Sequence, residues 1–171
     1  MAGKTKSKEE VYFAVCNSIL KYEVSKGHMK WTLSDISRDS KVTRSLIYYY
    51  FGKEKKSILE ESYKFITSIF FNVDVDKTIG IKARIKQVLV DMQSMPYLFV
   101  LYYLQKNKKT EFGNLIRDAE KAFLKSFKRD YPKLSDQEIQ KVYLMELGAI
   151  AFQLPEDQAE ELFKDFDLKK K

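Results

Sequence analysis

Helix breakers are scarce in this chain. Six glycines and three prolines punctuate 171 residues, and the stretches between them carry apolar residues three and four apart, the spacing of one helical face. No alternation of strand-like and helical segments interrupts the pattern. The expected class is therefore all-α, with about nine helices joined by short loops. A hydrophobic content of 44% is enough to build a core, so disorder is not the default. Cys16 is the single cysteine and cannot form an internal disulfide, and the opening MAGKTKSKEE carries no apolar leader, which makes the cytoplasm the expected compartment. The longest apolar run, Met95 to Leu104, falls short of the roughly 20 residues that span a bilayer and reads as a buried helix.

Charge gives the first functional hint. Of the net +7, residues 1–60 carry +5, with 12 Lys and Arg against 7 Asp and Glu. A basic N-terminal end draws phosphate backbones or anionic membranes through a sequence-independent field. A solvated lysine-rich surface would give the same count, so charge alone selects no partner. Catalytic chemistry has no foothold. The one histidine, His28, stands between Lys26 and Lys30 and reads as a surface residue; no glycine-rich phosphate loop, nucleophile motif or Cys/His pair at metal spacing occurs. The chain is read as a non-enzyme without metal or cofactor.

Start and stop signals divide the N-terminal part into three helices. Val11, Val15, Ile19 and Tyr22 line one face of a helix from Ser7 to about Ser25, which Gly27 ends. Thr32, with Asp35 three residues on, caps a second helix over 33–39, and Thr43 caps a third from Arg44 to about Phe51. Leu33, Ile36, Val42, Ile47 and Phe51 fall where two crossed short helices share a small core. Arg44, Ser45, Tyr48 and Tyr49 then face outwards, and those side chains suit a DNA groove: arginine pairs bidentately with guanine, and hydroxyls reach phosphates or base edges. Ser37 and Ser40 are small where the crossing is close, their hydroxyls expected to bond carbonyls one turn back.

The stretch WTLSDISRDSKVTRSLIYYYFGKEKKSILEE, Trp31 to Glu61, resembles the DNA-binding module of the TetR family of bacterial transcriptional regulators. Thr32, Ile36, Val42, Thr43, Ile47, Tyr48, Tyr50 and Phe51 match its pattern in register, and with the first helix the likeness covers about residues 7–65. It departs from the pattern at Lys41, where the family places glycine at a turn that favours positive φ, and after Phe51, where the family lysine falls on Glu54 with Lys53, Lys55 and Lys56 around it. What the resemblance implies is a helix-turn-helix domain over 1–54 and a helical ligand-binding and dimerisation domain over 55–171. Thr32, Thr43, Tyr48, Tyr50 and Lys55 would hold the DNA backbone, while Arg44, Ser45, Leu46 and Tyr49 would face the major groove of a palindromic operator. Tyr50 serves equally as core.

Beyond residue 54 the pattern continues as a helical body. A long helix over about 55–71 links the two parts as a lever, "NVDVD" forms a loop, and further helices are expected over 77–95, 96–106, 110–131, 135–154 and 155–166, with a basic LKKK tail. The resemblance implies that the last two pair with their copies in a homodimer, through Val142, Met145, Gly148, Ala149, Ile150, Leu162, Phe163 and Phe166. The density of aromatic residues in the middle helices suits a small, apolar or aromatic effector near Phe65, Tyr102, Tyr103 and Phe123 that releases a repressor from DNA. Two other readings remain open: a helical interaction module of the same fold that has lost operator binding, and a basic peripheral membrane protein.

Overall fold

The computed structural model describes residues 6–71 and 81–166, the side chains of 81 and 82 excepted. Among them are nine α-helices and no strand: α1 (Lys8–Ser25), α2 (Leu33–Ser40), α3 (Arg44–Phe51), α4 (Lys55–Phe71), α5 (Ile81–Ser94), α6 (Tyr97–Gln105), α7 (Glu111–Asp130), α8 (Asp136–Ala151) and α9 (Glu156–Leu162), followed by a 3-10 turn at Lys164–Phe166. The chain is all-α, as its sequence pattern predicts.

Local chemistry sets the helix starts. Ser7, Thr32 and Ser135 each close a capping box, with Glu10, Asp35 and Glu138 returning a carboxylate to the cap's own N–H, while Thr43 and Thr110 accept one backbone N–H apiece. The expected boundaries differ mainly at the ends. Helix α2 runs one residue further, to Ser40. The last helix stops at Leu162 and resumes only as the 3-10 turn. The expected NVDVD loop, the start of the 77–95 helix and the LKKK tail lie outside the described residues.

The helices converge on α1. Val11, Val15, Cys16, Ile19 and Leu20 are fully buried in it, and it packs against α2, α4 and α6. Burial pushes the Cys16 thiol far above its usual range, so this cysteine acts as a small core hydrophobe. Helix α4 passes from α1 and α3 to α7 and α5, and α8 closes the body on α5 and α7. The N-terminal helices and the body thus share two elements, α1 and α4. Asn17 of α1 also donates to the Ser94 carbonyl at 3.1 Å.

The aromatic interior of the body is filled by its own side chains. Phe70 stacks on Tyr102 with centroids 4.6 Å apart, the Tyr102 and Tyr143 hydroxyls lie 3.0 Å from each other, and Lys106 donates to the Tyr102 hydroxyl at 2.9 Å and to Glu120. Arg84 pairs with buried Glu146 beneath Phe123. Of the four residues expected to surround an effector, Tyr102 and Phe123 belong to this packing, Phe65 rests on Tyr12 at 5.2 Å, and Tyr103 is 75% exposed.

Candidate nucleic-acid interface

Helices α2 and α3 form a compact helix-turn-helix. Ile36, Val42, Ile47 and Phe51 are buried between them and α1. The turn is sharp at Lys41, which takes the left-handed conformation (φ 53°), the geometry that glycine adopts without penalty. Lys6 ties the turn down, its ammonium donating to the carbonyls of Ser40 at 3.1 Å and Lys41 at 3.2 Å. Instead of reaching one turn back, the Ser37 hydroxyl donates forward to the Val42 carbonyl at 2.7 Å, and the Ser40 hydroxyl accepts from the Val42 N–H. Both serines staple the turn itself.

The outer face of α3 carries the residues that the sequence places there. Thr43, Arg44 and Ser45 are exposed, Tyr48 lies open beside them, and Tyr49 is 78% exposed. The Arg44 guanidinium donates to the Ser34 hydroxyl at 2.6 Å, and the Thr43 and Ser45 hydroxyls lie 3.1 Å apart. Leu46 and Tyr50 are half-buried. The Tyr50 ring packs edge-on against Tyr12, whose hydroxyl donates to the Tyr50 carbonyl at 3.2 Å. Thr32, exposed at the start of α2, is occupied with its capping box.

Electrostatics clears this surface of negative charge. Asp39 is met by Lys21 at 2.5 Å and Asp35 by Lys26 at 3.0 Å. The Asp35 carboxyl is held well below its ordinary range by the Thr32 backbone N–H, then by the Lys26 ammonium and the Thr32 hydroxyl. Arg38, Lys41, Arg44 and Lys53 have no carboxylate partner among the described residues. After α3 the chain turns at Gly52 (φ 89°). Lys55 does not project from the surface: its ammonium donates to the Met29 carbonyl and lies 4.7 Å from the centre of the Trp31 ring. Lys56 pairs with Glu60 at 3.3 Å. That leaves Lys53 as the one of the trio without a partner among the described residues.

One group behind the surface escapes the sequence reading. Glu23, 6% exposed near the end of α1, accepts from the Met29 N–H at 2.8 Å and the Trp31 indole N–H at 2.6 Å through Oε1. Its Oε2 accepts from the Tyr63 hydroxyl at 3.1 Å and lies 2.9 Å from His28 Nδ1. Burial, followed by the nearby Glu23 charge and hydrogen bond, pushes the Tyr63 phenol far above its usual range. His28, expected as a plain surface residue, is thus anchored while its ring remains largely open to solvent. The signal was present: Glu23 lies four residues after Ile19, on the buried stripe of α1. A carboxylate there requires partners.

The class defined by these features is an all-helical protein with an N-terminal helix-turn-helix. No family model matches the chain, and no curated protein does. Among solved structures, the chain is similar to a HlyIIR mutant protein in which a run of residues is substituted by alanine, at 14% sequence identity and a TM-score of 0.47, covering 97% of this chain and 100% of that one. Among the described residues, no helix is long and apolar enough to cross a membrane, and no group of three or more His, Cys, Asp or Glu is placed to hold a metal ion.

Proposed function

We propose that the chain is a sequence-specific DNA-binding transcriptional regulator that acts as a homodimer. The observation that carries this reading is the outer face of α3. Arg44, Ser45 and Tyr49 stand exposed on a helix fixed by a stapled turn, with the neighbouring carboxylates neutralised by Lys21 and Lys26. The resemblance of Trp31 to Glu61 to the TetR DNA-binding module supports it. Arg44, Ser45, Leu46 and Tyr49 read the major groove, and Thr32, Thr43, Tyr48 and Tyr50 hold phosphates. Lys55 is already engaged with Met29, so we assign the remaining backbone contact to Lys53.

A second copy answers two needs. One small module binds DNA weakly, and two-fold symmetry suits a palindromic site. Helix α8 offers an apolar stripe for that copy. Leu144 is 60% and Phe152 82% exposed, with half-buried Leu147 and Gly148 and exposed Ala151 at helical spacing between them. A Cβ at Gly148 would meet nothing within 4 Å, which leaves room for a close helix approach. This moves the interface by one face of the helix. Val142, Ala149, Ile150 and Phe163 are buried inside the monomer, where α8 and α9 pack on α5; Met145, Gly148, Leu162 and Phe166 remain at its edge.

The experiment is selection from a random-sequence duplex library, followed by salt-dependent binding to the enriched fragments. Enrichment of an inverted repeat with half-sites about one helical turn apart supports the reading. Absence of any enriched sequence, together with binding indifferent to salt, overturns it.

A further inference from the structure

The two helix starts of the helix-turn-helix meet through one hydrogen bond. Ser34, half-buried in the first turn of α2, accepts at 2.6 Å from Nη2 of Arg44, the first residue of α3. Neither helix needs this bond in order to form. Thr32 and Asp35 already cap α2, and Thr43 caps α3. The Asp35 carboxylate beside Ser34 is occupied by Thr32 and Lys26, and the Thr43 and Ser45 hydroxyls that flank Arg44 lie 3.1 Å from each other. Arg44 thus keeps its full charge and takes a neutral acceptor from the other helix.

The packing behind the bond fixes where its two ends stand. Ile36 and Ile47 are fully buried between α2 and α3. The left-handed turn at Lys41 is held by Ser37 and Ser40 against Val42 and by the Lys6 ammonium on the Ser40 and Lys41 carbonyls. The separation of the two helix starts is therefore set by the core of the module. An exposed arginine samples many rotamers and loses that freedom when it binds; a fixed acceptor beside it removes part of the loss in advance. The guanidinium also offers two forks, Nη1 with Nη2 and Nε with Nη2, and either can meet the O6 and N7 of a guanine. Nη2 holds one proton in each. With Ser34 taking one of them, one fork stays complete and the plane of the group is defined.

We infer that Ser34 is a positioning residue for base reading: it orients Arg44 so that each half-site carries a guanine where Arg44 meets it. The inference rests on the DNA-binding reading above and deepens it. Thr32, assigned there to a phosphate, stands two residues before Ser34 on α2, so Thr32, Ser34 and Arg44 run from the DNA backbone to a base edge and fix the register between them.

The test uses S34A, S34T, R44A and S34A/R44A in the full chain. Binding is measured to the operator that the parent enriches, to that operator with the guanine replaced, and to a scrambled duplex of the same length, each at several salt concentrations. S34A should stay folded in a thermal melt, since alanine is the better helix former. It should bind the operator about three- to tenfold less tightly, the effect of losing one pre-organised side chain, and discriminate less against the replaced guanine. Affinity for the scrambled duplex and the salt slope should match the parent's, because no phosphate contact is lost. S34T, which keeps the hydroxyl, should restore operator binding, and S34A/R44A should bind no more weakly than R44A. Operator affinity of S34A equal to the parent's, an equal loss on the scrambled duplex, or a loss that adds in full to that of R44A overturns the inference. So does a parental operator with no guanine at the position that R44A relaxes. Each of those results leaves the regulator reading standing; a parent that enriches no sequence removes that reading and the role of Ser34 together.

Discussion

Replacing Glu23 by leucine should cost about 3 to 5 kcal/mol of folding stability. Three donors lose their acceptor: the Trp31 indole N–H, the Tyr63 hydroxyl and the Met29 N–H. An unpaired buried donor costs about 1 to 3 kcal/mol. Trp31 and Tyr63 are buried, so water cannot replace the lost oxygen, whereas Met29 is half-buried and incurs less. Leucine returns part of this, since it carries no charge to desolvate. Glutamine keeps one acceptor oxygen and turns the other position into a donor facing Tyr63 and His28, so E23Q should lose about 1 to 2 kcal/mol. The assay is urea unfolding followed at Trp31 emission and by far-ultraviolet circular dichroism. A leucine variant within about 0.5 kcal/mol of the parent would mean that desolvating the carboxylate cancels the whole network, and the reasoning would be refuted.

Other outcomes follow from the same geometry. Arg44→Ala should weaken binding to a selected operator by about 1 to 3 kcal/mol and relax the preference at one base position per half-site, read by repeating the selection; an unchanged consensus counts against the role of α3. Lys53→Ala should lower the slope of log affinity against log salt by about one unit, whereas Lys55→Ala should first destabilise the fold by freeing the Met29 carbonyl; the reverse pattern would return the phosphate contact to Lys55. Gly148→Glu should leave the monomer folded, because a Cβ there meets nothing, yet abolish the dimer in sedimentation; an unaltered dimer would exclude the α8 stripe. Acid should unfold the protein partly through its capping boxes. The Asp35 and Glu138 carboxyls are held below their ordinary values of 3.8 and 4.5, so their stabilisation is complete above those values and disappears as pH falls through the lower folded-state values. Urea midpoints of D35N should accordingly vary less than the parent's below about pH 4.

The helix-turn-helix was legible because its determinants are local. Thr32 with Asp35, and Thr43 at the next start, lie within one turn of the groups that they cap. Lys41 declares its own left-handed conformation by occupying the place of a turn glycine. Which side of α8 the monomer itself covers was not legible in this way. Val142, Ala149 and Ile150 form one apolar side, and Leu144, Leu147, Ala151 and Phe152 form another, so periodicity alone cannot say which is covered; packing against α5 and α7 decides. The packing of the aromatic residues was hidden for the same reason. Tyr102 and Phe123 are as aromatic as a ligand wall, yet Tyr143 and Arg84 come from elsewhere in the chain to pack on them. The partners of Glu23 lie 5 to 40 residues away along the chain, beyond any local pattern.

The long helix α4 was expected to act as a lever between the DNA-reading part and the body, but it is not the only link. Helix α1 packs on α2 at one side and on α6 at the other, and Asn17 adds a bond to the end of α5. A hinge at Gly52 alone therefore cannot swing α2 and α3 away from the body, since α1 would have to leave either α2 or α6 and expose apolar side chains buried in that contact. Each such side chain costs about 1.5 to 3 kcal/mol to expose. A ligand with a tenfold preference for one state supplies about 1.4 kcal/mol, far less than that rupture. What lies within its reach is a small concerted shift of α1, α4 and the 27–31 loop over the body, with Glu23 holding all three together. In a dimer that reads two half-sites, a small rotation of each copy suffices, because the spacing of the two α3 helices must match the helical repeat of DNA.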